Sequence, residues 1–179
     1  MCYNIFINLR IYPVFSVREI KVFDSSGGYM KKETEIKWAR IKELLSEKNL
    51  EGIIINKISN FAWFTGGGNN FVALNTENGV CSLLLTKNKI YLLTDNIEAD
   101  RIKQEEIADI PVDDVIWPWY KDDNLNENIR KIIRGNVASD KPDGQFETID
   151  IEKIHFPLID VEIERFKNLG RKTTKIISG

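Results

Sequence analysis

The stretch "GIIINKISNFAWFTGGGNNF", residues 52–71, decides the architecture. Its opening run, Ile53-Ile54-Ile55, is short, β-branched and apolar throughout, the pattern of a strand covered on both faces. Such a strand needs one layer above it and another below. The run then hands over to a loop in which aromatic residues abut three glycines and two asparagines. Three roles suit that loop: glycines cradling a ligand, aromatics belonging to a core, or a segment meeting a partner surface.

On the N-terminal side, "KKETEIKWARIKELLSEKN" (residues 31–49) puts Trp38, Ile41, Leu44 and Leu45 on one stripe, with Lys, Glu and Arg on the other face. This spacing predicts an amphipathic helix. Asn49 suits the left-handed residue that ends it, and Leu50 can fold back on its last turn. On the C-terminal side, "GVCSLLLTKNKIYLLTD" (79–95) carries two apolar runs, Val80 to Leu85 and Ile90 to Leu93, joined by Thr86 to Lys89. That is a β-hairpin. Asp95 with Glu98 makes a capping-box-like start for a helix through Glu106. "PVDDVIWPWY" reads as a strand, "NLNENIRKIIRG" as a helix capped by Asn124 and stopped by Gly135, "NVAS" as a strand, and "DKPDG" as a turn. The last segment, "FPLIDVEIERFKNLGRKTTKIISG", reads as a helix with its N-cap at Asp160 and an apolar stripe of Ile163, Phe166 and Leu169. That stripe must lie on the domain, face a partner chain, or lead into another domain. Helices alternating with strands, plus one hairpin, imply an α/β fold, a three-layer domain with a mixed sheet flanked by helices.

A chain of 179 residues makes one main domain of ordinary size. With 25 basic and 27 acidic side chains the net charge is -2, so no global field draws nucleic acid or anionic membranes. The two cysteines, Cys2 and Cys81, lie far apart and lack CxxC spacing, which points to a reducing, cytoplasmic address. "MCYNIFINLRIYPVF" at the N-terminus fails as a targeting segment: no basic residue precedes it, Arg10 interrupts it, and it falls far short of the roughly 20 apolar residues of a span. Gly27-Gly28-Tyr29-Met30 is encodable by a purine-rich ribosome-binding site, a spacer and AUG. Residues 1–29 are therefore expected to be an extension that is not native, with Met30 the start.

Catalytic chemistry finds little purchase. Asp113 and Asp114 are adjacent, so on a strand they point to opposite faces and cannot grip one ion together. The lone histidine, His155, has no ligand partner at metal-binding spacing. Cys81 sits in a strand among apolar residues, where it behaves as a small hydrophobe. At Gly66-Gly67-Gly68, backbone amides can approach a phosphate closely, but neither GKS/GKT nor GxGxxG spacing is present, and glycines supplying positive φ for a tight loop account better for the run. "WPWY", Trp117 to Tyr120, suits either a core or a partner surface.

These residues together resemble the N-terminal domain of the creatinase, prolidase and Xaa-Pro aminopeptidase family. The resemblance rests on the amphipathic helix, the "GIIIN" strand, "NFAWFTGG" with its N-x-x-W/Y-x-T-G form, the "GVCSLLLTKNKIYLLTDNIEADRI" hairpin and helix, and the closing "FPLIDVEIERFKNLGR". It implies residues 30–157 as a creatinase-type N-terminal domain and 158–179 as a helix leading toward a catalytic domain that lies outside this chain. In that family two divalent metal ions, Mn, Co or Zn, are held by two Asp, one His and two Glu of a C-terminal "pita-bread" domain. No residue here inherits a catalytic or metal-binding role. The implied function is a non-catalytic domain of an Xaa-Pro aminopeptidase or dipeptidase-like metallopeptidase, contributing to dimerisation and active-site access. Its implied partners are a second copy or a catalytic metallopeptidase domain, with proline-containing peptides only where that domain is present, and neither nucleic acid nor membrane. The resemblance makes Asn60, Trp63, Phe64, Thr65, Gly66, Gly67, Gly68 and Asn69 a partner or substrate-access loop, with Asn60 or Ser59 capping a short helical turn. The competing readings are a small α/β domain binding a nucleotide or metabolite at Gly66–Gly68 and an enzyme using its own carboxylates.

Overall fold

The computed structural model describes residues 31–73, 75–121, 125–142, 144–156 and 158–177. The extension 1–29, the start at Met30, the cap at Asn124 and part of the 140–144 turn fall outside these residues. Six strands form one mixed sheet: β1 (Gly52–Lys57), β2 (Asn78–Thr86), β3 (Ile90–Asp95), β4 (Asp113–Trp117), β5 (Val137–Ser139) and β6 (Glu147–Thr148), in spatial order β4-β3-β2-β1-β5-β6. The β1–β2 and β2–β3 pairs are antiparallel, and β3–β4, β1–β5 and β5–β6 are parallel. The isoleucine run therefore lies inside the sheet, flanked by β2 and β5, which is why it has no polar alternation.

Pleating sends neighbours of that run to opposite faces. Ile53 and Ile55 join one core cluster with Leu83, Leu85 and Leu92, whereas Ile54 joins the other with Leu84 and Leu93. The first cluster is roofed by α1 (Lys32–Glu47), α2 (Ile58–Thr65) and the α3 segment, helical at Ala99–Arg101 and π-helical at Ile102–Glu106. The second lies beneath α4 (Leu125–Ile132), through Ile129 and Ile133. The three layers expected from the sequence are present. A last helix, α5 (Asp160–Ile177), follows a 3-10 turn at Glu152–Ile154.

The signals at element ends are met unevenly. Asn49 has φ 53°, and Leu50 N–H donates to Leu45 O at 2.9 Å, closing α1 with a left-handed residue and a folded-back leucine. The hairpin turns as expected, with Leu85 opposite Ile90. The capping box at Asp95 is only half formed: Asp95 Oδ1 accepts from the N–H groups of Ile97 and Glu98, while the Glu98 carboxylate turns to Arg101 instead. Asp160 is the first residue of α5 and not its cap; Glu162 Oε2 reaches back to accept from Ile159 N–H at 3.0 Å. Ladder register shifts between Ile55 and Lys57, and Asn70 fills the irregularity, donating from Nδ2 to Asn56 O and Cys81 O.

Candidate functional site

The residues expected to form a reaching loop are mostly helical. The segment Ile58–Thr65 is α2, which carries Asn60, Phe61, Phe64 and Thr65 inward. Phe61 and Phe64 are fully buried in the first core cluster, which is why aromatics crowd a helix this short. The expectation that Asn60 or Ser59 caps the helix is corrected by the structure: the N-cap is Lys57, without a side-chain cap bond of its own, and Asn60 lies inside the helix. A carboxylate from far along the chain instead ties the end of β1 to the Asn60 side chain of α2. Asp140, only 2% exposed, lies just past β5 beside the end of β1. It accepts from Asn56 N–H at 2.8 Å, Lys57 N–H at 3.1 Å and Asn60 Nδ2 at 2.9 Å. Burial pushes its carboxyl above the ordinary 3.8, and the bonds from Asn60, Asn56 and Lys57 oppose that rise. A carboxylate of the protein thus sits at the positive end of α2, where an open α/β sheet could otherwise receive an anion.

The other end of α2 explains the glycines. Gly66 has φ 75°; its N–H and that of Gly67 donate to Trp63 O and Ala62 O, the paired bonds of a left-handed helix stop. Gly68 N–H donates to Thr65 Oγ1, and a Cβ on Gly68 would stand 2.7 Å from Glu106 O. Asn69 N–H is held by Glu106 Oε2 at 2.7 Å. This is the negative end of the helix, and the N–H groups of Gly66, Gly67, Gly68 and Asn69 are already engaged within the protein, which leaves no amide cradle for a phosphate. The geometry therefore gives the nucleotide reading no support.

Beside this end lies a group of charges the sequence did not single out. Lys37 is 1% exposed, and its Nζ donates to Glu33 Oε1 at 2.5 Å and Trp63 O at 2.5 Å, and pairs with Glu162 Oε1 at 3.0 Å. Arg165 grips both oxygens of Glu33, at 2.9 and 2.5 Å. Burial raises the Glu33 pKa, but the bonds from Arg165 and Lys37 outweigh it and hold the carboxyl below 4.5. One buried ammonium so ties together α1, the end of α2 and α5. The Trp63 ring has Lys37 Nζ 5.4 Å from its centroid and stacks on His155 at 4.3 Å. Burial pulls the His155 pKa below 6.5, Lys37 adding to the effect and Glu152 opposing it. Between Trp63, Gly66 and Gly67 on one side and Phe166 and Leu169 of α5 on the other lies a slot of about 280 Å³.

Glu33 and Lys37 at i, i+4, like Glu162 and Arg165 at i, i+3, are the only signal the sequence carried for this site, and solvated helix faces show the same spacing. The face of α1 read as polar is in part buried. Trp119 and Tyr120 of "WPWY" are exposed, Trp117 partly covered. Cys81 is buried, and burial pushes its thiol up to about 12. Asp113 and Asp114 pair with Lys89 and Lys103 at the sheet edge. Among the described residues, no group of three or more His, Cys, Asp or Glu could hold a metal ion, and no helix is long and apolar enough to cross a membrane.

A family model described as "Creatinase/Prolidase N-terminal domain" matches residues 37–158. No curated protein sequence matches the chain. Among solved structures, the Xaa-Pro dipeptidase from Bacillus anthracis is similar with a TM-score of 0.50 at 12% identity, over 73% of this chain and 38% of that one. The creatinase/prolidase N-terminal domain of an X-Pro dipeptidase from Streptococcus pyogenes gives 0.41 at 16% identity, over 69% and 85%. An Xaa-Pro aminopeptidase from the same organism gives 0.43 at 14%, over 62% and 75%. At 12% identity the likeness to the Bacillus anthracis dipeptidase speaks for the fold alone.

Proposed function

Because this chain belongs to the creatinase/prolidase N-terminal domain family, we propose that it acts as a non-catalytic module of an Xaa-Pro aminopeptidase or dipeptidase-like metallopeptidase. It works through contact surfaces, in the cytoplasm, supporting dimerisation and access to an active site carried by a catalytic domain of the same or another polypeptide. Two divalent ions, Mn, Co or Zn, would belong to that domain, and proline-containing peptides would be its substrates.

One observation carries the reading. Along α5 the apolar side chains face solvent: Phe166 is 62% and Leu169 61% exposed, with Ile176 and Ile177 further out. Phe166 and Leu169 continue the wall of the slot that begins at Trp63. Exposed apolar surface of this kind, next to a fixed aromatic, is what a protein partner covers. The Trp63 to Asn69 segment supplies the rim of that surface.

The test is reconstitution with a separately produced catalytic domain of an Xaa-Pro dipeptidase. Sedimentation should show association with that domain or self-association, weakened by Phe166→Asp and by Trp63→Ala, and X-Pro cleavage should require the catalytic partner. Cleavage of an X-Pro peptide by this chain alone with added Mn²⁺ would overturn the proposal. So would a Trp63→Ala variant unchanged in both stability and association.

A further inference from the structure

The helix with the exposed stripe is attached in an unusual way. Among the described residues, neither buried core cluster contains an α5 side chain, nor do the partly buried apolar residues packed against those clusters. What holds α5 is charge: Glu162 on Lys37, and Arg165 on Glu33. A slot of about 280 Å³ lies between the apolar faces of α5 and α2. A core interface would be close-packed.

The ion pairs are also asymmetric. Lys37 keeps Glu33 and Trp63 O when Glu162 leaves, so lifting α5 strands no lone charge in the interior. Glu33 keeps Lys37 when Arg165 leaves, and Arg165, half exposed, returns to water. The Lys37 bond to Trp63 O couples this fastening to the left-handed stop of α2, because that carbonyl also accepts from Gly66 N–H.

We propose that α5 is a strap, fastened over the Trp63 slot by Glu162 and Arg165 and releasable as a unit while the sheet and the other helices stay folded. Release of α5 and opening of the slot are one event. A partner that covers the apolar stripe draws on this equilibrium, although the strap itself does not depend on what the partner is.

The experiment is amide hydrogen exchange by NMR on the full chain, following α5 amides from Ile163 to Leu169, the Trp63 indole N–H, and the β1 amides of Ile53 to Ile55. Loss of one charge-assisted bond corresponds to about a tenfold or greater change in the opening equilibrium. Glu162→Gln should speed α5 exchange by about that factor and Arg165→Met, whose guanidinium is half exposed, by about 2–5-fold; both should shift the Trp63 indole signal and leave β1 exchange unchanged. Phe166→Ala, which leaves both ion pairs intact, should leave α5 protection as it is. The proposal falls if Arg165→Met leaves α5 exchange untouched, if α5 and the Trp63 indole respond separately, or if β1 exchange accelerates in parallel, since that would mean global destabilisation. Lys37→Met removes the whole fastening but endangers the fold, so the conclusion rests on the two α5 variants.

Discussion

Replacing Asp140 by alanine removes the acceptor for three donors at once: Asn56 N–H, Lys57 N–H and Asn60 Nδ2. Lys57, Asn60 and Asp140 all border a second cavity of about 190 Å³, but of the three donor residues only Lys57 is partly exposed, so its N–H is the one that water satisfies most readily after the change. The other two lie in the interior. Each buried donor left without a partner costs about 1–3 kcal/mol, so with two of them Asp140→Ala should lose about 2–6 kcal/mol, a large share of the 5–15 kcal/mol typical of a domain. Asn60→Ala removes one charge-assisted bond and should cost about 1–2 kcal/mol. Because the two side chains share that bond, the double variant should be less damaged than the sum by about 1–1.5 kcal/mol. Urea unfolding at pH 7.5, followed by far-ultraviolet circular dichroism, gives all four corners of the cycle. An Asp140→Ala variant within about 1 kcal/mol of the parent, or strictly additive effects, would refute the view that Asp140, just past β5, ties the end of β1 to the first turn of α2.

Other expectations are narrower. His155 has a depressed pKa in the fold, so its neutral form stabilises the protein above pH 6.5, and that contribution is lost as pH falls through the depressed value; His155→Phe should flatten the urea midpoint between pH 8 and pH 5, and an unchanged slope would contradict the burial of the ring. Gly68→Ala, whose Cβ would press on Glu106 O at 2.7 Å, should cost about 1–3 kcal/mol by thermal melting. Gly67→Ala has open space, but its φ of 118° is one that L side chains rarely adopt, so it should cost about 1–3 kcal/mol through backbone strain alone. In a Cys2→Ser background the Cys81 thiol, pushed up to about 12, should resist iodoacetamide until the protein is unfolded.

What the sequence disclosed follows from range. The isoleucine run, the hairpin and the left-handed Asn49 are local patterns, and each stands in the fold as read. Helix α2 reads as a loop because eight residues followed by three glycines offer little period to recognise, and the carboxylate that Asn60 bonds lies 80 positions away. Asp140 reads as a turn residue for the same reason. Lys37 looks like any solvated lysine until Glu162 arrives from α5, and a two-residue strand such as β6 has no pattern at all. Side chains whose partners come from distant elements are where local reading ends.

The Lys37 junction has a practical consequence for anyone isolating this unit. The matched family span, 37–158, begins at the ammonium itself and stops before α5. A fragment trimmed to those limits would keep a sealed-in cation while discarding Glu33 and Glu162, its two counter-ions. Where to place the scissors is therefore a question of electroneutrality: cuts before Glu33 and after Arg165 keep every charge of the knot in company.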